Sequence, residues 1–195
     1  VNSDSINKII LASASPRRRE LLEKCGVPFE VLVSNAEEKC GGGSETPAEV
    51  ALHNALLKAR AVAKDKPLFT VLGSDTIVVL GDEIIGKPPT RRAAVDTLLK
   101  LSGKTHTVIT AIALVNLAKN TELSAFEESR VTFKKLTETI IEDYMGKVNV
   151  MDKAGAYGAQ EYGDMIIENI DGNLDNVMGL PCALVKNKLD SLSSL

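Results

Sequence analysis

An α/β fold around a mixed sheet is what this chain predicts, and three observations predict it. Short apolar or β-branched runs of strand length alternate with capped, helix-periodic segments. The sequence has no internal repeat, and no low-complexity linker divides its 195 residues. A chain of this length can bury one shared core, so residues 1–195 are expected to form a single domain.

Ile9-Ile10-Leu11-Ala12 reads as a short buried strand. Ser15 then has the form of an N-cap, with Pro16 at the first helical position, and the helix is expected to reach Cys25 before Gly26 stops it. After the loop tract Gly41-Gly42-Gly43-Ser44, Thr46-Pro47-Ala48-Glu49 combines a capping box with a first-turn proline and opens a helix to about Lys64. Leu68 to Leu80 is apolar and β-branched except at Gly73-Ser74-Asp75-Thr76, which reads as two strand pieces joined by a kink or bulge. Gly81-Asp82 is a turn into a return strand, Glu83 to Ile85. Thr90 to Leu101 is helical. His106 to Asn116 and Glu127 to Phe133 read as two longer strands that can pair, separated by a polar segment. A helix from about Glu138 to Met145, a glycine-rich stretch from Ala154 to Gly163, a strand around Met165 to Ile170 and a helix after Pro181 complete the pattern.

Composition narrows the function. The net charge is −3 and the pI about 5.5, which argues against the basic surface that duplex nucleic acid or an anionic membrane requires. Only 4% of residues are aromatic and none is tryptophan, leaving little for a base-stacking platform. Cys25, Cys40 and Cys182 form no CxxC pair, so neither a disulfide framework nor structural zinc is expected, and a reducing compartment is. His53 and His106 are the only histidines, which leaves oxygen ligands for a hard cation such as magnesium or manganese. Val1 to Lys8 lacks a signal-peptide layout and no run approaches the length of a membrane span, so a soluble cytoplasmic protein is expected.

Several clusters carry chemistry. In Ser13-Ala14-Ser15-Pro16-Arg17-Arg18-Arg19, the free amides of a helix start meet two hydroxyls and three guanidiniums, a plausible phosphate cradle. Helical spacing centres Arg18 near the apolar face of Leu21, Leu22 and Cys25, with Arg17 on its flank and Arg19 turned away. The alternative is a capped helix with solvated arginines. Asp75 is a carboxylate inside an apolar strand and requires compensation by a cation or donors, unless Gly73-Ser74-Asp75 is simply a turn. Lys58 and Asn54 border the apolar stripe of their helix, where a lysine either reaches a phosphate or snorkels. Lys87 ends the return strand ahead of Pro88-Pro89. Glu37-Glu38 offers a second oxygen ligand or a solvated acidic loop. Lys153 to Gln160 contains small residues that admit close backbone approach, with Tyr157 and Gln160 as polar reach.

Leu11-Ala12-Ser13-Ala14-Ser15-Pro16-Arg17-Arg18, Gly73-Ser74-Asp75-Thr76, Gly86-Lys87-Pro88, Leu101-Ser102-Gly103-Lys104-Thr105-His106, Ala154-Gly155-Ala156-Tyr157-Gly158 and Gly179-Leu180-Pro181 together resemble the Maf family, in order and over nearly the whole chain. The resemblance implies a Maf/Ham1 (ITPase)-like fold, a long mixed sheet with helices forming two lobes around a nucleotide cleft. It implies hydrolysis of a nucleoside triphosphate between the α- and β-phosphates with a divalent cation, magnesium or manganese. By position, Asp75 looks like the catalytic and metal-binding acid and Glu37 like an accessory metal ligand. Ser13, Arg18, Lys58 and Lys87 look like phosphate-binding groups. Arg17, Thr76 and Gln160 mark substrate, and their combination resembles the dTTP/UTP branch, with modified pyrimidine nucleotides also permitted. The partners so implied are a nucleoside triphosphate and no nucleic-acid polymer or membrane, with a homodimer left open. The competing reading is a nucleotide-binding regulator of septum formation that does not turn its ligand over.

Overall fold

The computed structural model describes residues 8–39 and 44–193. Most of the expected glycine loop, Gly41-Gly42-Gly43, and all but the last residue of Val1 to Lys8 therefore lie outside the described residues. Among the described residues, seven strands form one mixed sheet in the order β2-β1-β3-β5-β6-β7, with β4 paired to β3 off that path. The strands are β1 (Ile9–Leu11), β2 (Phe29–Val31), β3 (Val71–Leu80), β4 (Glu83–Ile85), β5 (Thr105–Asn116), β6 (Thr121–Phe133) and β7 (Ile167–Asp171). The helices are α1 (Pro16–Lys24), α2 (Pro47–Asp65), α3 (Arg91–Leu101), α4 (Glu138–Lys147), α5 (Leu174–Met178) and α6 (Cys182–Ser193). β1 pairs in parallel with β2 and with β3, whereas β4 and β7 run antiparallel to their partners.

The chain divides into two compact units. The first runs to Asp75, returns for Thr110–Glu127 and ends with the segment from Gly179. Its α1 begins as its sequence dictates: the Ser15 side chain accepts from the Arg18 backbone, Pro16 supplies a helical φ without an amide to satisfy, and Gly26 turns the chain at φ +70°. Thr46 and Glu49 form the reciprocal capping box of α2. Ala51, Ala55 and Ala59, four residues apart and fully buried, give α2 a flat side.

β3 meets that side, and here the expected kink is corrected: Val71 to Leu80 is one unbroken strand. Gly73 is present for packing rather than turning. A Cβ on it would stand 2.1 Å from the Ala55 carbonyl oxygen and 3.0 Å from the Ala59 Cβ, so only glycine lets strand and helix backbones approach this closely.

A second correction concerns the cysteines. Cys25 and Cys182 form a disulfide, with Cα atoms 5.7 Å apart across 157 residues of sequence. Cys25 follows α1 and Cys182 opens α6, so the pair is assembled by the fold and leaves no mark in local spacing. The cysteine count therefore says nothing about compartment.

The second unit comprises Thr76–Ile109 and Glu128–Met178. Val78, Leu98, Val108, Phe133, Ile141, Tyr144 and Ile166 lie in its core. α3 and α4 are capped by Thr90 and Thr137, each accepting from a backbone amide. Gly155, at φ +71°, kinks the chain inside the first of two 3-10 turns in the glycine-rich stretch. β6 starts at Thr121, earlier than expected. Its first residues alternate half-buried and exposed, so the polar segment supplies the outer face of a strand. No helix among the described residues is long and apolar enough to cross a membrane.

Candidate active site

Four of the expected site residues, Ser13, Arg18, Lys58 and Asp75, are brought together in the first unit with Glu38 and Asn54. Asp75 is 4% exposed on β3, and its charge is met from α2. Lys58 Nζ donates to Asp75 Oδ1 at 2.7 Å and to the Ser74 carbonyl at 3.2 Å. Asn54, one helical turn before Lys58, donates to Asp75 Oδ2 at 3.1 Å. Lys58 therefore does not snorkel, and Gly73-Ser74-Asp75 is not a turn. A buried carboxylate with a cation on one oxygen and an amide on the other avoids the several kcal/mol, on the order of 3–5, that an uncompensated buried charge costs.

Of the two adjacent acids in the loop after β2, Glu38 reaches Lys58, with its Oε1 2.8 Å from Nζ, while remaining 44% exposed at its side chain. Glu37 is exposed on the same loop. Two carboxylates thus converge on one position, filled by the Lys58 ammonium. That donor set suits magnesium or manganese, which keep part of their water and take substrate phosphates as further ligands. Among the described residues, no group of three or more His, Cys, Asp or Glu is arranged to hold a metal, so a cage made wholly of protein side chains is not present there.

The start of α1 carries the hydroxyl and guanidinium groups of the cluster. Ser13 Oγ accepts from the Ser15 amide at 3.2 Å and from Arg18 Nη1 at 3.4 Å. Arg18 Nε donates to the Gly179 carbonyl at 2.9 Å, and Ser74 Oγ donates to the same oxygen at 3.2 Å. Gly179, at φ +108°, takes a backbone shape that side chains disfavour and turns its carbonyl to both donors. Burial pushes the Arg18 guanidinium below its ordinary pKa, while Asp75 and Glu38 push it back up. It remains a cation that faces two acids. Arg17 is half-buried, and Arg19 turns away to pair with Glu23 at 3.2 Å, as helical spacing predicted.

Sequence reasoning missed the Gly179 carbonyl as the acceptor for Arg18, and Ser74 as the second donor to that oxygen. Gly179-Leu180-Pro181 stood out only as part of a motif, and no side chain advertises a carbonyl.

The remaining expected residues belong to the second unit. Thr76 follows Asp75 on β3 and is half-buried; Lys87 is exposed after β4; Gln160 is exposed after the glycine-rich turn. Tyr157 corrects an expectation: it is 6% exposed and supplies no polar reach to solvent. Its hydroxyl lies 2.8 Å from His106 Nε2, and the two rings meet Phe133 edge to face. Burial lowers the His106 pKa to about 4 and raises that of Tyr157, so both are neutral at pH 7.

The fold is similar to that of the Staphylococcus aureus Ham1 protein, whose structure superposes with a TM-score of 0.55 at 15% identity, covering 94% of this chain and 98% of that one. Residues 8–192 match the family model described as Maf-like protein, and the chain belongs to that family. A relative from Akkermansia muciniphila, named dTTP/UTP pyrophosphatase, is 48% identical over 187 residues, 96% of this chain and 97% of its own length. A second of the same name, from Bacillus thuringiensis subsp. konkukian, is 44% identical over 184 residues, 94% of this chain and 95% of its own.

Proposed function

We propose that this protein is a nucleoside triphosphate pyrophosphatase that hydrolyses dTTP and UTP to the monophosphate and pyrophosphate. The observation that carries the reading is Asp75, a buried carboxylate kept charge-balanced by Lys58 and facing Arg18, in a chain whose relatives of 44–48% identity bear that activity in their names.

Water attacks the α-phosphorus in line. The new bond joins water oxygen to α-phosphorus, the bond from α-phosphorus to the bridging oxygen breaks, and its electron pair leaves on pyrophosphate. Asp75 orients the water and takes up its proton, which then passes to solvent. Arg18 and Lys58 offset the charge that grows on the leaving pyrophosphate, with Lys87 as a further cation. Ser13 Oγ and the free amides at the start of α1 bind phosphate oxygens. Asp75 and Glu38, with Glu37 beside it, are the residues to hold a divalent cation, magnesium or manganese, which supplies Lewis-acid charge on the phosphates when bound. Arg17, Thr76 and Gln160 are the residues assigned to telling pyrimidine nucleotides from others.

The test is a release assay with magnesium or manganese and dTTP, UTP, CTP, GTP, ATP or 7-methyl-GTP, measuring pyrophosphate separately from orthophosphate. Pyrophosphate chiefly from dTTP and UTP is the expected result. Orthophosphate would refute attack at the α-phosphorus. No turnover of any nucleotide would leave a ligand-binding regulator as the better reading.

A further inference from the structure

Asn54 is 2% exposed, and both donors of its amide and its oxygen are engaged. Its Oδ1 accepts from the Lys39 backbone amide at 2.8 Å, while Nδ2 donates to the Lys39 carbonyl at 3.0 Å and to Asp75 Oδ2 at 3.1 Å. The orientation of the amide follows from chemistry. A backbone N–H can only donate, so the oxygen must face it, which leaves both Nδ2 hydrogens for the carbonyl and the carboxylate. One side chain therefore grips the backbone of the loop carrying Glu37 and Glu38 and one oxygen of Asp75. The residue it grips is the immediate neighbour of Glu38, whose carboxylate meets Asp75 across Lys58.

We propose that Asn54 is a positioning residue for the pyrophosphatase reaction: it fixes the rotation of the Asp75 carboxylate and registers the acidic loop, so that Glu38 stands beside Asp75. The proposal rests on the reading of Asp75 as the reacting acid. The pairing with Lys39 resembles a two-bond strand ladder made by a side chain, which explains why an asparagine stands in a buried position beside the alanine face of α2 that would otherwise favour an apolar residue. Without it, Asp75 keeps Lys58 on Oδ1 but loses the donor that sets its plane, and the loop loses its anchor to α2.

The experiment compares Asn54→Ala and Asn54→Asp with wild type and Asp75→Asn, measuring kcat and KM for dTTP with manganese, thermal midpoint, and hydrogen exchange across residues 34–39. Asn54→Asp keeps the shape and still accepts from Lys39, but donates to neither oxygen, and it decides the question if Asn54→Ala does not fold. The expected result is a kcat lowered about tenfold to a hundredfold, the range for losing a group that orients a reacting or ligating side chain, with KM changed less than about twofold. Exchange across 34–39 rises in the same variants. If both variants keep wild-type kcat while Asp75→Asn is inactive, or if they only lower the thermal midpoint, this inference fails and the reading of Asp75 stands. If Asp75→Asn keeps its activity, the reading of Asp75 fails and takes this inference with it.

Discussion

Each unit of the protein buries a polar cluster, and the two are accommodated by opposite means. Around Asp75 the charges are kept: the Lys58 ammonium and the neutral Asn54 amide occupy the two carboxylate oxygens, and Glu38 stands half in solvent at the edge. Around His106 the groups are neutral. His106 Nε2 has Tyr157, its Nδ1 has no partner, and three rings seal the cluster. Burial alone therefore does not mark chemistry. A cluster that keeps its charges by exact pairing, with one acid reaching solvent, is equipped to meet a charged substrate, whereas one that gives up its charge to fit among aromatic rings serves the core.

The comparison breaks most clearly at Asp75. Asp75→Asn is expected to lower kcat for dTTP on the order of a thousandfold, as loss of a principal electrostatic group does, in a protein that still folds but with a lowered thermal midpoint, because Lys58 loses its buried counter-charge. Normal turnover in the folded variant would move the chemistry elsewhere. Lys58→Met comes next, because it leaves Asp75 buried without its cation. A loss of about 3 kcal/mol in urea unfolding is expected, the cost of breaking a buried pair from one side, and a change below about 1 kcal/mol would show that water reaches the carboxylate freely.

His106 supplies the smallest effect, and it carries a sign. Its pKa falls to about 4 in the folded protein, so the unfolded chain binds the extra proton first as pH drops. Stability is fully present above the unfolded value of about 6.5 and declines as pH falls towards 4, by about 2 kcal/mol between pH 7 and pH 5. His106→Gln should flatten that part of the urea-midpoint profile. An unchanged slope would assign the acid sensitivity to other groups.

What the sequence made legible follows the range of each signal. Ser15-Pro16 and Thr46-Pro47-Ala48-Glu49 are complete local instructions, and α1 and α2 start where they say. Asp75, a lone acid among β-branched residues, declared its need for a partner, and the helical spacing of Asn54 and Lys58 placed both at the margin of the buried face. Long-range facts stayed hidden. β2 is three residues long and mostly exposed, so no period reveals it. The disulfide joins positions 157 residues apart. Gly73 read as a turn because local chemistry offers no sign of a helix packed against it. Glu37 and Glu38 are indistinguishable by type, and only the course of their loop brings the second onto Lys58.

Gly73 also sets the length scale within which two other side chains have meaning. A methyl group there would need roughly 1 Å of extra room between β3 and α2 to clear the Ala55 carbonyl, since ordinary carbon–oxygen contact begins beyond 3 Å and the present gap would be 2.1 Å. The amide of Asn54 and the ammonium of Lys58 project from that same helix to opposite oxygens of one carboxylate, at 3.1 and 2.7 Å. A residue with no functional group and no access to substrate thus acts as the spacer for both, and a mutational scan scored on turnover would return Gly73 among the reacting residues.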